Sequence, residues 1–81
     1  MPQVSVRFFA AAREAFGTKE QSVAGESLAE VISSLTEAAN PEAATVLSRS
    51  SFLVNSIAAT DRDQPLTDGD TVDVLPPFAG G

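Results

Sequence analysis

DGDTVDVL, the stretch at residues 68–75, joins a strong turn signal to a strand pattern of period two. Asp and Gly favour tight turns, because Gly accepts a positive φ and Asp bonds to nearby backbone groups. The alternation after the turn places Val72 and Val74 on one face of a strand, and Asp73 and Leu75 on the opposite face. The segment therefore predicts the last strand of a sheet, with its direction set by the turn.

A second alternating segment lies near the start of the sequence. One strand face carries Val4, Val6 and Phe8, and the opposite face carries Ser5, Arg7 and Phe9. The Ala-rich stretch 10–16 is followed by Gly17, which suits a helical turn with a glycine C-cap. A short strand is expected at 20–23, and we expect it to pair antiparallel with the first.

The middle of the sequence predicts one main helix. Residues 27–30, SLAE, fit a capping box, in which the Ser hydroxyl accepts from the amide three residues on and the Glu reaches back to the Ser amide. Apolar residues follow at helical spacing, and Asn40-Pro41 ends the helix before a second short turn through Leu47. With further strands at 52–54 and 57–59, the sequence predicts an α+β fold. It has a mixed sheet of four to five strands, one main helix and short helical turns.

The composition excludes several kinds of chemistry. The 81 residues carry a formal charge of -6, which repels a nucleic-acid backbone, and they include no Cys and no His. Thiol nucleophiles, His bases and the commonest metal ligands are therefore missing, and the Asp residues between 61 and 73 lack the spacing of a calcium loop. We expect no metal, no nucleic-acid partner, no membrane span and a cytoplasmic location.

The last six residues, PPFAGG at 76–81, are predicted to form an extended tail on a domain of residues 1–75. Two prolines stiffen its root, and two terminal glycines give its end the smallest cross-section a peptide can have. A frayed end is the alternative interpretation, but fraying accounts for neither the prolines nor an apolar residue in the tail. We therefore expect threading into a partner by Pro76, Pro77, Phe78, Ala79 and Gly80, with the Gly81 carboxylate as the reactive group.

The tail and the turn before it carry a family resemblance. The segments LPPFAGG at 75–81 and PLTDGD at 65–70, with Phe8-Phe9, Arg13-Glu14 and Gly17 near the start, resemble the small subunit of molybdopterin synthase, the MoaD family. The order of elements resembles the ubiquitin-like β-grasp fold. The resemblance covers essentially the whole sequence and is weak at 40–51 and 56–63.

This resemblance implies a sulfur carrier that binds no cofactor itself. An E1-like, MoeB-like enzyme would use ATP to adenylate Gly81, and a sulfur donor protein would displace AMP to leave a thiocarboxylate. A MoaE-like large subunit, which would hold the catalytic residues, would pass the sulfur to cyclic pyranopterin monophosphate in molybdenum cofactor biosynthesis. Because the sequence has no Cys, Gly81 is the only plausible position for carried sulfur.

Three residues are candidates for docking to a partner. Phe9 and Leu75 lie on the strand face opposite the core pattern and could form one apolar patch if the first and last strands are neighbours. The alternative is that the 10–16 turn covers Phe9. Arg13 matches a family position near that surface, where it could pair with a partner carboxylate or remain a solvated helix charge.

Other functions share the same tail. A sulfur carrier for thiamin thiazole or cysteine synthesis also uses a Gly-Gly end, and the Pro-Pro root favours the molybdenum pathway. A ubiquitin-like modifier joined to lysines through Gly81 is a second alternative, and an interaction module with an inert tail is a third.

Overall fold

A computed structural model describes residues 1–77, and over this range five strands and three helices follow one another. The elements in chain order are β1 (Gln3–Phe8), α1 (Ala11–Phe16), β2 (Glu20–Ala24), α2 (Leu28–Ala38), α3 (Pro41–Arg49), β3 (Ser51–Val54), β4 (Ile57–Ala58) and β5 (Thr71–Leu75). The predictions for Phe78, Ala79, Gly80 and Gly81 lie outside the described residues.

The strands form one mixed sheet in the order β2-β1-β5-β3-β4. β1 is antiparallel to β2, as expected, and parallel to β5, while β3 is antiparallel to both β4 and β5. The first and last strands are thus neighbours, and the predicted α+β fold with a mixed sheet is confirmed. β5 is the central strand, so the tail root leaves the sheet from a strand that is paired on both sides.

The period-two pattern separates a buried face of the sheet from an outer one. On the buried face, Val6, Val72 and Val74 are completely inaccessible to solvent. The helices cover this face with the apolar stripe of α2, of which Leu28, Val31 and Leu35 are buried and Ile32 only partly so. Other core residues are Val4, Phe8, Ala12, Val23, Leu47, Phe52, Val54 and Leu66. Burial of this face is the main source of stability for the fold.

The cap of α2 forms as predicted on one side only. The Ser27 hydroxyl accepts from the Glu30 amide at 3.2 Å, so the helix begins where the sequence indicates. The Glu30 carboxylate, however, accepts from the amide of Glu26 at 3.1 Å rather than from that of Ser27. The expected return bond is therefore displaced by one residue, which still gives a donor ahead of the helix a charged acceptor.

The segment after Asn40 is more regular than a short turn. The Asn40 side chain accepts from the Ala43 amide at 2.8 Å, and Pro41 occupies the first helical position, where its missing N–H costs no hydrogen bond. The segment forms a helix, α3, which ends at Arg49 rather than at the predicted Leu47.

α1 contributes the buried Ala12 to the core and packs its last residue, Phe16, against it. The ring of Phe16 stacks on that of Phe8, with centroids 4.5 Å apart, and Gly17 ends the helix in the left-handed conformation at φ 73°. Before the helix, Ala10 has φ 50° and ψ -125°, a region that L-residues seldom occupy. The chain thus makes a sharp, strained bend between Phe9 and α1.

Candidate functional site

The tail root is held by hydrogen bonds at the end of β5. β1 and β5 pair up to Phe8 and Val74, and the amide of Phe9 then donates to the carbonyl of Val74 at 3.3 Å. Beyond Leu75, Pro76 is half-buried and Pro77 is exposed. Neither proline has an amide hydrogen, so neither can donate a hydrogen bond to the ladder.

The DGD turn at 68–70 fixes the other end of β5. Gly69 adopts φ 91°, and its amide donates to the Gln3 carbonyl at 2.9 Å, while the Gln3 amide donates to the Asp68 carboxylate at 2.8 Å. These bonds tie the turn to the start of β1. The turn therefore aims the last strand, as the sequence predicts.

Asp70 links this turn to the β3–β4 turn. Its carboxylate accepts from the Asn55 side chain at 3.0 Å, and from the amide and hydroxyl of Thr67 at 2.8 and 3.1 Å. Asn55 in turn accepts from the Thr71 amide at 3.0 Å. These hydrogen bonds hold the pKa of Asp70 below its usual value of 3.8. The bond from Asn55 has the largest effect, and those from Thr67 add to it.

An ion pair that the sequence analysis missed crosses the outer face of the sheet. Arg7 donates from Nε and Nη2 to the two carboxylate oxygens of Asp73, at 2.7 and 2.9 Å. The Asp73 side chain is only 6% exposed, whereas that of Arg7 is 44% exposed. The bonds from Arg7 to Asp73 raise the pKa of the guanidinium above its ordinary value. The alternation placed both residues on this face, but only the strand register brings them together.

Phe9 and Leu75 both lie beside the tail root. They are the residues that directly follow Phe8 and Val74, the last pair of the β1–β5 register, and both are half-buried. The Arg7 guanidinium lies 5.6 Å from the centre of the Phe9 ring. α1 places its aromatic residue against Phe8 instead, so Phe9 keeps some exposure.

The residue types on the outer face change along the strands, from hydroxyl residues far from the tail, through a charged row, to apolar residues at the tail root. The row farthest from the tail consists of Ser22, Ser5 and Thr71, and the middle row consists of Glu20, Arg7, Asp73 and Leu53. The row at the tail root consists of Leu75 and Ser51, and Phe9 follows directly after the end of β1. The alternation in the sequence predicts Phe9 and Leu75 on this face. The strand register shows that a charged row lies directly behind them.

Arg13 is exposed on α1, across a groove from Lys19 and Glu20 at the start of β2. Within residues 1–77, no group of three or more His, Cys, Asp or Glu side chains is placed to hold a metal ion. None of the helices in that range combines the length and apolar character needed to cross a bilayer. Over these residues the outer face presents apolar side chains and charged side chains close to the tail root.

A five-stranded mixed sheet with helices packed on one face defines a ubiquitin-like β-grasp domain. The sequence profile described as the ThiS family matches residues 6–81. The chain belongs to the ThiS family, and it is a ubiquitin-like sulfur carrier of the ThiS/MoaD type. Comparison with curated protein sequences gives no significant match.

Several solved structures are similar to this chain. The small archaeal modifier protein 1 of Methanosarcina acetivorans is 30% identical with a TM-score of 0.87, covering 100% of this chain and 98% of that one. A chain in the complex of subunits 1 and 2 of molybdopterin-converting factor from Helicobacter pylori is 26% identical with a TM-score of 0.77, covering 98% and 99%. A chain in the BexX/CysO complex of Amycolatopsis orientalis, 23% identical with a TM-score of 0.76 over 96% and 99%, shares the fold.

Proposed function

We propose that this carrier is the sulfur-donating small subunit of molybdopterin synthase, acting in the cytoplasm, where ATP is available. The observation that carries the proposal is the segment LPPFAGG at 75–81, which begins at the end of the central strand. The likeness to a molybdopterin-converting factor at 26% identity over nearly the whole chain supports it.

The chemistry assigned to the tail needs no catalytic group on this chain. An activating enzyme of the E1-like, MoeB-like class joins the Gly81 carboxylate to the AMP of ATP and releases pyrophosphate. A sulfur donor protein then supplies sulfur to the acyl carbon, AMP leaves, and a thiocarboxylate remains. AMP is a far better leaving group than the oxygen of a free carboxylate, which is why activation must come first.

Delivery is assigned to the face beside the tail root. In this proposal Phe9 and Leu75 dock against a MoaE-like large subunit, Arg13 pairs with a partner carboxylate, and residues 76–80 thread the tail into the partner's active site. There the sulfur passes to cyclic pyranopterin monophosphate. The paired edges of β5 support this assignment, because they give the tail a fixed starting point.

The test is intact mass spectrometry after incubation with the activating enzyme, ATP and a sulfur source. The mass should rise by the difference between sulfur and oxygen, and fragmentation should place the gain at Gly81. A matched variant with one residue added after Gly81 should gain nothing, because its Gly81 carboxyl is locked in an amide. Absence of any gain with an active enzyme would overturn the proposal.

A second candidate function is covalent attachment to lysines. It is favoured by the 30% identity to a protein named as a small archaeal modifier. Higher-mass adducts in lysate that disappear when Gly80 and Gly81 are deleted would support it. Recovery of a thiazole synthase or cysteine synthase with the carrier, instead of a molybdopterin synthase large subunit, would move the assignment to another sulfur pathway.

A further inference from the structure

A small groove lies at the end of β1, between α1 and the start of β2. It has a volume of about 200 Å³ and is lined by Arg7, Phe8, Phe9, Arg13, Lys19 and Glu20. Pockets for whole small molecules are larger, at about 300 to 1,000 Å³. The groove therefore suits one or two side chains of a protein segment rather than a nucleotide or cofactor.

The charge of this groove is opposite to that of the rest of the chain. Three of the five Lys and Arg residues line it, although the whole chain carries a formal charge of -6. Asp73 already engages Arg7 with both carboxylate oxygens. Arg13 and Lys19 have no ion-pair partner among residues 1–77, and Glu20 is the one acidic residue in the lining.

The lining also combines charge with an apolar wall. Phe9 is half-buried at the groove and at the tail root, so an occupant of the groove would lie next to the predicted docking face. The amide of Phe8 donates to the Lys19 carbonyl at 2.9 Å, which ties the end of β1 to the residue that precedes β2. The β2 side of the groove is thus fixed to β1 by a backbone hydrogen bond.

We propose that this groove receives an acidic segment of the protein partner, with carboxylates opposite Arg13 and Lys19 and an apolar side chain against Phe9. The inference rests on the proposed docking of a partner beside the tail root, and it adds the chemistry of the segment that the partner presents. Carboxylates are the expected complement, because two cations without partners attract them while the acidic remainder of the chain repels them elsewhere. A nucleic acid is disfavoured, because it extends well beyond the groove into that repulsive field.

The experiment is an NMR titration of the full chain with three short peptides in which Val alternates with Glu, Lys or Ser. The Glu peptide should shift the backbone amides of Phe9, Arg13 and Lys19, and its affinity should fall as salt is added. The Lys and Ser peptides should bind more weakly. Equal binding of all three, or no binding of the Glu peptide, would overturn the proposal.

Charge-reversal variants show which residues account for binding of the Glu peptide. The double variant Arg13→Glu/Lys19→Glu should bind the Glu peptide about 5- to 30-fold more weakly, since each exposed ion pair contributes modestly. Arg49→Glu/Lys19→Glu has the same net charge but keeps Arg13, and should show an intermediate loss. Both Arg13 and Arg49 are exposed helical residues, so the variants should fold, as their spectra can verify. Equal losses in the two double variants would show that Arg13 contributes no more than Arg49, which lies outside the groove lining, and would refute the site.

Three further outcomes distinguish this inference from the alternatives. Tighter binding of a single-stranded oligonucleotide than of the Glu peptide would overturn the proposal, because the ligand of the groove would then be a nucleic acid and not an acidic protein segment. Gain of sulfur at Gly81 without binding of the Glu peptide would support the proposed function and overturn the groove proposal. Binding of the peptide at the groove without gain of sulfur would support the groove proposal and overturn the proposed function.

Discussion

The two consecutive phenylalanines should respond differently to truncation. Phe8 is 1% exposed and stacks on Phe16, whereas Phe9 is half-buried on the outer face. Phe8→Ala should lower the free energy of unfolding by about 3 to 5 kcal/mol, the usual result for a buried aromatic side chain. Phe9→Ala removes a side chain that is only partly withdrawn from water, so its cost should stay below about 1.5 kcal/mol.

The difference is large relative to the stability of a domain this small. At about 0.05 to 0.15 kcal/mol per residue, the whole domain is stable by roughly 4 to 12 kcal/mol, so Phe8→Ala removes a large share of the total. Each kcal/mol corresponds to about 4 to 8 °C in Tm for a domain of this size. Phe8→Ala should therefore lower Tm by at least about 12 °C.

Urea unfolding followed by far-UV circular dichroism measures both variants, because the chain has no Trp or Tyr for fluorescence. Phe9→Ala should retain its fold but weaken capture by the partner, since the docking proposal places this ring in the interface. Equal losses of stability in the two variants would refute the assignment of Phe8 to the core and Phe9 to the docking face.

The remaining predictions concern backbone approach, capping and pH. Gly25→Ala should cost about 1 to 3 kcal/mol in urea unfolding, because the new Cβ would lie 2.8 Å from Val31 Cγ2; an unchanged midpoint would contradict this contact. Ser27→Ala should cost about 1 kcal/mol by loss of the α2 cap, and Ser27→Asp should restore it. Hydrogen bonds lower the pKa of Asp70 in the folded chain, so its ionised form stabilises the fold above the ordinary value of 3.8, and this contribution is lost as the pH falls through the lower folded pKa. Asp70→Asn should therefore flatten the loss of stability below pH ~4, and an acid profile identical to the wild type would contradict that role.

Short-range patterns in the sequence predicted most of the fold. Alternation at 4–8 and 72–75 identified the buried and outer faces of the two central strands, because strand side chains repeat with period two regardless of the partner strand. Ser27, Gly17 and Asn40 marked helix ends through local hydrogen bonds or backbone freedom. Each of these features depends on residues within a few positions of one another.

The features that the sequence did not predict depend on register or on strain. Arg7 and Asp73 are 66 positions apart, and a shift of β5 by one residue would place Asp73 on the core face. The positive φ of Ala10 has no sequence signal, since Ala disfavours that conformation. The return bond of Glu30 moved to Glu26 because a long side chain can reach either of two adjacent amides.

The outer face bears on how a carrier of this kind distinguishes its partners. Activation and sulfur transfer at a terminal glycine require the same chemistry for every acceptor, so the two terminal glycines alone give a partner little to select. A purely apolar face would also accept many partners, because apolar contact is not directional. Here the Arg7–Asp73 pair lies directly behind Phe9 and Leu75, and Arg7 remains 44% exposed. A partner that covers Arg7 without offering an acceptor removes water from its remaining donors and loses affinity. If a partner docks on this face as proposed, the charged row favours partners with a matching polar group, which is a selection that the terminal glycines alone cannot make.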